Sequence, residues 1–231
     1  MMMAARLLPL LFVVLGPTAA SAQRQVPVHV EPRHRVVHAS DHLQVLDIRI
    51  QEGDTTLFHT HDAPMVYVTI SPSTTDAQRL GGTWSGTVAR TPPPGREGGV
   101  SAVLSYAEAP VTHRVTNVGP SLFHLVGILA QAEPVDDGAT AKPLPGADEG
   151  TSAWFRTARL GLGPGQQVYA EAHAPVALVL VRDGRVAIHH ADGWTTSLET
   201  AGAVRVVGPG SSYRVENGGQ EPAEVILVEV R

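Results

Sequence analysis

Two stretches of the chain are built alike, and this recurrence limits the available folds more than any other feature. IRIQEGDTTLFHTHDAPMVYV (residues 48–68) and ARLGLGPGQQVYAEAHAPVALVL (residues 158–180) each pass through an apolar segment and a glycine turn. Each then enters a second apolar segment just after a histidine, His61 or His173. The two copies also end alike: His113-Arg-Val-Thr-Asn117 precedes a Gly-Pro turn and Tyr213-Arg-Val-Glu-Asn217 a Gly-Gly turn. Such self-similarity predicts two copies of one structural module.

The modules read as β-structure. LQVLDIRI (residues 43–50) alternates, with Leu46, Ile48 and Ile50 on one face and Asp47 and Arg49 on the other. MVYVTI, VSAVLSYA, LFHLVGILA, VALVLV, RVAIHH, AVRVVG and AEVILVEV are further short runs bounded by Gly, Pro, Asp or Asn. With 23 glycines, 18 prolines and no long amphipathic helix, the expected class is all-β, many short strands joined by tight turns.

Composition shifts mark the boundaries. Arg6, an apolar run from Leu7 to Leu15, and Ala20, Ser21 and Ala22 have the pattern of a secretory signal peptide (1–22) cleaved after Ala22. The run is well short of the ~20 residues that cross a bilayer, so a secreted or periplasmic protein, with no membrane attachment after cleavage, is expected. An N-terminal arm (23–38) carries His29, His34 and His38, with His42 just beyond, and reads as a solvated extended segment. The first module spans 39–132, and AEPVDDGATAKPLPGADEG, acidic and rich in Pro and Gly, supplies a linker (133–150). The second module spans 151–231. The chain has no cysteine, so its core alone must hold it together. The formal charge is -5, without charged blocks, which recommends no nucleic-acid partner. A homodimer is expected, because exposed edge strands in such modules tend to pair.

The candidate chemistry centres on His59 and His61. Alternate residues of a strand share a face, so both imidazoles project the same way, as do Met65 and Tyr67 if the strand continues without a bulge. His113, at the matching end of the copy, is the third candidate ligand. Asp62 adjoins His61 and points to the opposite face; Met65 reads as core filling; Tyr67 is a candidate for hydrogen-bonding a substrate.

Gly53-x5-His59-x-His61 and His113-x3-Asn117 resemble the two motifs of the cupin superfamily, G-x5-H-x-H-x3,4-E-x6-G and G-x5-P-x-G-x2-H-x3-N. The glutamate position falls on Met65 or Val66, and the closing glycine is replaced by SPSTTDAQRLGG. The second copy matches both spacings, as Gly165-x5-Glu171-x-His173-x3-Ala177-x6-Gly184 and Gly202-x5-Gly208-x-Gly210-x2-Tyr213-x3-Asn217, with altered ligand types. The resemblance implies a bicupin: two double-stranded β-helix (jelly-roll) barrels in tandem.

It further implies a divalent metal on His59, His61 and His113, Fe(II) for an enzyme, with Zn, Mn, Ni or Cu as alternatives. Three neutral imidazoles leave the ion's charge uncancelled and favour small anionic, chelating substrates. A dioxygenase-type enzyme is one reading; a non-catalytic small-ligand-binding or structural module without metal is the other. The second copy, with Glu171, His173, Tyr213 and Ala177, is expected to be structural or dimerising. His124 has the parity of Val126 and Ile128 and is expected inside the first barrel; His189 and His190 are expected at the surface. TPPPGREGG (residues 91–99) is long enough to cover a barrel mouth, with Arg96 available to an anion.

Overall fold

The computed structural model describes residues 24–86, 96–134 and 143–231. The expected signal sequence and its cleavage point, residues 91–95 of the loop and residues 135–142 of the linker lie outside the described residues. The first half contains β1 (Gln25–Pro27), a 3-10 turn (Val28–Val30), β2 (His34–Ala39), β3 (Leu43–Ile50) and β4 (Phe58–His61). These are followed by β5 (Met65–Ser71), β6 (Thr75–Arg79), β7 (Val100–Val103), β8 (Val111–Asn117) and β9 (Phe123–Ala130). The second half contains β10 (Ala147–Thr151), β11 (Phe155–Leu162), β12 (Gln167–Ala172), β13 (Val176–Leu180) and β14 (Val186–His190). It closes with β15 (Thr195–Leu198), β16 (Val204–Val207), β17 (Ser211–Asn217) and β18 (Ala223–Val230).

Each half forms a five-stranded and a four-stranded sheet, and the strand orders prove the repeat. The five-stranded orders are β2-β3-β9-β5-β7 and β10-β11-β18-β13-β16; the four-stranded ones are β1-β4-β8-β6 and β12-β17-β14-β15. Taking β3 with β11, β5 with β13, β8 with β17 and β9 with β18 superimposes the two five-stranded orders and lays β4-β8-β6 on β12-β17-β14, while β1 and β15 have no counterpart among the described strands. Each half is therefore a jelly roll built as two facing sheets. The N-terminal arm and the end of the linker take part: β1 pairs parallel with β4, β2 with β3, and β10 with β11.

The shared glycine and asparagine close the same corner in both halves. Gly53 (φ 76°) and Gly165 (φ 71°) occupy the left-handed region that glycine tolerates and donate to the carbonyls of Asn117 and Asn217 at 2.9 and 2.8 Å. The asparagines have a different reason to be there, since no described non-glycine residue has a positive φ. Their side chains are fully buried. Asn117 Nδ2 donates to the carbonyls of Ile50 and Ser121, and Asn217 Nδ2 to those of Leu162 and Glu221.

The central strands of the five-stranded sheets are buried on both faces. Leu43, Val45, Val66, Val68, Val126 and Ile128 of the first half pack against Ala177, Val179, Ile226, Val228 and Val230 of the second. The opposite faces fill the two jelly rolls, with Leu46, Ile48, Met65 and Leu129 in one and Leu160, Leu178, Val225 and Leu227 in the other. That double burial explains the near-continuous apolar runs MVYVTI, VALVLV and EVILVEV, where a half-exposed strand would alternate.

His124 follows from this arrangement. It shares the face of Val126 and Ile128, but that face looks across to the second half, not into the first jelly roll as expected. There His124 Nε2 lies 2.7 Å from Asp47 Oδ1, while Arg35 and Arg49 donate to the same carboxylate. A Cβ on Gly202, from the opposite half, would stand 2.5 Å from His124 Cε1. The end of the 91–99 loop also docks across the halves: Arg159 donates to the Gly98 carbonyl at 2.6 Å, and Arg182 pairs with Glu97 at 2.8 Å.

Candidate metal centre

The first jelly roll brings His59, His61 and His113 together. β4 and β8 are antiparallel neighbours with His59 directly opposite His113, and His61 lies two residues further along the same face. One ring nitrogen from each of the three lies within 4.8 Å of the others. His59 and His61 are almost fully buried, 1% and 3% exposed; His113 is half-buried.

An extra residue in the segment leading into β4 makes this convergence. Thr55 bridges Thr116 and His59 pairs with His113, so four steps along one strand oppose three along the other. The corresponding run in the second half, Gln167 with Glu216 to Ala170 with Tyr213, has three steps on each side. A bulge of this kind redirects the chain locally. Here it turns the Leu57 carbonyl toward the site, where His59 Nδ1 donates to it at 3.0 Å. Glu31, 1% exposed, accepts the Leu57 N–H at 3.2 Å and the Arg33 N–H at 2.6 Å, clamping the bulge from outside.

Those contacts set the tautomers. A carbonyl only accepts, so His59 Nδ1 carries the proton and Nε2 presents its lone pair to the centre. His61 Nε2 and His113 Nε2 stand 3.1 Å apart, and Tyr67 Oη lies 3.3 Å from His61 Nδ1. Two imidazole lone pairs so close need a proton or a cation between them. Metal–nitrogen bonds of about 2.0–2.1 Å place neighbouring ligand atoms roughly 2.9–3.4 Å apart, so this spacing suits a shared ion.

Burial keeps the rings neutral, as metal ligands must be. It lowers His59 to about 4, with the charge of His34 adding to it, and lowers His113 to about 4, with His59 and Arg79 adding. His61, most crowded by other imidazoles, falls to about 2, again chiefly through burial. Tyr67 is raised well above its ordinary value by burial and by Tyr106.

Two neighbours were not apparent from sequence. Tyr106, between β7 and β8, stacks on His61 with ring centroids 4.7 Å apart. His34 is not solvated with the rest of its arm: it is 4% exposed, packs edge-on to His59 at 4.6 Å, and binds the Val28 carbonyl through Nδ1 at 3.0 Å. His29 and His42 are exposed as expected. The signal for His34 was its place in a segment that pairs with β3, which is legible only once the sheet is known. Met65 joins Val28, Leu46, Ile48 and Leu129 in the core, and Asp62 is exposed. Arg96 is exposed and adjoins Glu97, which pairs with Arg182 of the second half.

In the second jelly roll the strand register corrects the motif alignment. Without the extra residue, Ala170 and Ala172 take the places of His59 and His61, opposite Tyr213 and Ser211. Glu171 and His173 are exposed, because a one-residue shift moves a side chain to the other face of a strand. Ala177 falls in the contact between the halves, and Tyr213 is buried inside. His189 and His190 are half-buried, with His189 Nε2 3.2 Å from the Glu216 carboxylate.

Neither a sequence-family profile nor a curated protein sequence matches the chain. Solved structures do match its fold. AerE from Microcystis aeruginosa aligns at a TM-score of 0.53 and 9% identity, over 87% of this chain and 98% of that one. A cupin 2 conserved barrel domain protein from Leptotrichia buccalis aligns at 0.52 and 11%, over 85% and 88%. A salicylate 1,2-dioxygenase from Pseudaminobacter salicylatoxidans aligns at 0.54 and 8%, over 86% and 76%; a variant of such an enzyme has been solved in complex with gentisate. The chain has the cupin fold twice over, and its N-terminal jelly roll carries a three-histidine group able to hold a metal ion.

Proposed function

We propose that the N-terminal jelly roll binds one divalent metal through His59, His61 and His113 and acts as an Fe(II) dioxygenase-type enzyme on a small anionic organic substrate. The observation that carries this reading is the convergence of three neutral imidazole nitrogens, one with its tautomer fixed by the Leu57 carbonyl and a second contacted by Tyr67. Iron bound there would supply the means of activating an electron-rich substrate and dioxygen together. The chain's own residues do the rest. His59, His61 and His113 present lone pairs on one side of the centre. Tyr106 covers His61 and restricts water, and Tyr67 takes the proton of His61 Nδ1 as a hydrogen bond while its hydroxyl stays protonated. The second jelly roll, with alanines at two ligand positions, serves as a packing partner. Dioxygenase chemistry in a protein of similar fold supports the reading. The signal-like residues 1–22 make export part of the same proposal.

The test is metal content and oxygen uptake of untagged protein beside a His59→Ala/His113→Ala variant, each offered Fe(II), Mn(II), Zn(II) and Cu in turn. One equivalent in the parent and almost none in the variant is expected, with iron-dependent oxygen consumption on addition of a hydroxylated aromatic acid. Stoichiometric zinc without oxygen uptake would overturn the oxygenase reading. No metal at all would leave a ligand-binding or structural role.

A further inference from the structure

Cross-strand register places one more charged side chain on the histidine face. Val26 pairs with His59, His59 with His113, and His113 with Arg79 of β6, so these four residues form a row across the four-stranded sheet. Directly opposed residues share a face, and strands lie about 4.8 Å apart. Arg79 is thus the neighbour of His113 and roughly 10 Å across the sheet from His59.

The other face confirms the alternation. Gln78, one residue earlier, accepts a hydrogen bond from Arg114 Nε at 2.7 Å, and the Arg114 guanidinium lies over the rings of Phe58 and Trp84. Arg79 therefore belongs with the histidines. It is exposed, and among the described residues its guanidinium enters no hydrogen bond or ion pair. Among the other arginines, Arg33, Arg35, Arg49, Arg156, Arg159 and Arg182 face carboxylates. Exposure at a sheet edge alone would explain a solvated arginine. It would not explain one in register with two metal-ligand candidates and without a counter-ion.

We infer that Arg79 is the specificity-determining residue of this site: its guanidinium binds the carboxylate of a substrate that presents an oxygen donor to the three-histidine centre. The inference rests on the metal reading above and narrows its substrate class to carboxylic acids with a nearby hydroxyl or carbonyl oxygen. A guanidinium offers two parallel N–H donors that match the two carboxylate oxygens, which a lysine ammonium cannot reproduce. Such a pair also fixes the direction in which the substrate enters, with its acid group toward β6 and its donor oxygen toward β4.

The test uses the full chain loaded with Co(II), whose visible bands report both metal binding and ligand entry, in wild-type, Arg79→Ala and Arg79→Lys forms. Each is titrated with salicylate and with salicylamide, which share the ring and phenol and differ in charge. The expected result is equal cobalt binding in all three, salicylate affinity reduced about 10- to 100-fold in Arg79→Ala and less in Arg79→Lys, and salicylamide affinity unchanged. With cobalt bound, equal salicylate affinity in wild type and Arg79→Ala overturns the inference and leaves the metal reading standing. So does a parallel loss for both probes, or no response of the wild type to salicylate. Failure of the wild type to bind cobalt overturns the metal reading and this inference with it.

Discussion

The Tyr67 hydroxyl lies 3.3 Å from His61 Nδ1, at the opposite end of the ring from the Nε2 that faces His113 at 3.1 Å. With a metal on Nε2, Nδ1 would carry the proton and donate a hydrogen bond to the phenol oxygen. Removing such an outer partner commonly weakens a metal site by about 10- to 100-fold. Tyr67→Phe is expected to bind metal more weakly, near the lower end of that range, with the fold intact, because the ring still fills its place beside Met65. Competition with a chelator of known affinity measures it. Unchanged affinity would reduce Tyr67 to packing.

The depressed histidines give the metal-free protein a pH dependence of defined sign. His34, His59 and His113 titrate near 4 in the folded chain and near 6.5 when unfolded, so unfolding takes up protons between those limits. Stability should be full above about pH 6.5 and fall as the pH drops toward 4, a tenfold difference in proton affinity being worth about 1.4 kcal/mol. Thermal unfolding of chelator-treated protein from pH 7.5 to 4.5 tests this. A His34→Gln variant should show a shallower slope, and an equal slope would mean that His34 escapes burial in solution.

Met65 is one of the two residues, with Val66, on which the glutamate of the cupin motif would fall, yet the structure gives it a steric role. A Cβ on Gly127 would stand 2.1 Å from Met65 Cε and 3.2 Å from Ile48 Cδ1, so Gly127 makes the room that the methionine fills. Gly127→Ala is expected to destabilise the protein by about 1–3 kcal/mol through overpacking. In combination with Met65→Ala the loss should be less than the sum of the two single changes, which a double-mutant cycle in urea would show. Met65→Leu should leave metal content unchanged.

In the second jelly roll, the outward faces of Glu171 and His173 make a negative expectation concrete. The Glu171→Ala/His173→Ala pair should change neither metal stoichiometry nor thermal midpoint by more than experimental scatter, since surface substitutions commonly stay within about 0.5 kcal/mol. Loss of bound metal in that variant would place a ligand on the second half.

These residues also show what the sequence disclosed and what it withheld. The repeat, the all-β class and the grouping of His59, His61 and His113 were legible because glycine turns and strand alternation leave direct marks. The ligand alignment of the second copy was not. Counting residues from Gly165 to His173 cannot reveal that the chain entering β4 contains one residue more than β12 between equivalent partners, and with a period of two that single residue reverses every face. His124 and Arg96 misled for a related reason. Each lies on a surface that one jelly roll alone would assign to its own interior or mouth, whereas the second jelly roll covers or neighbours it. His34 and Glu31 were hidden in a segment without apolar periodicity, ordered by long-range pairing.

Glu31 supplies the last expectation. Its buried carboxylate accepts the amides of Leu57 and Arg33, and the Arg33 guanidinium lies 3.6 Å away. The bulge it clamps is what aims the Leu57 carbonyl at His59 Nδ1. Glu31→Gln preserves shape but replaces one acceptor oxygen with a donor that would confront an N–H, so a loss of about 1–3 kcal/mol in stability is expected. Metal affinity should fall as well, since His59 would lose the contact that fixes its tautomer. A variant that loses stability while keeping full metal affinity would separate the clamp from the site. A fall in metal affinity alongside the loss of stability, with the affinity effect but not the stability effect disappearing in a His59→Ala background, would show that the N-terminal segment builds the centre through the bulge.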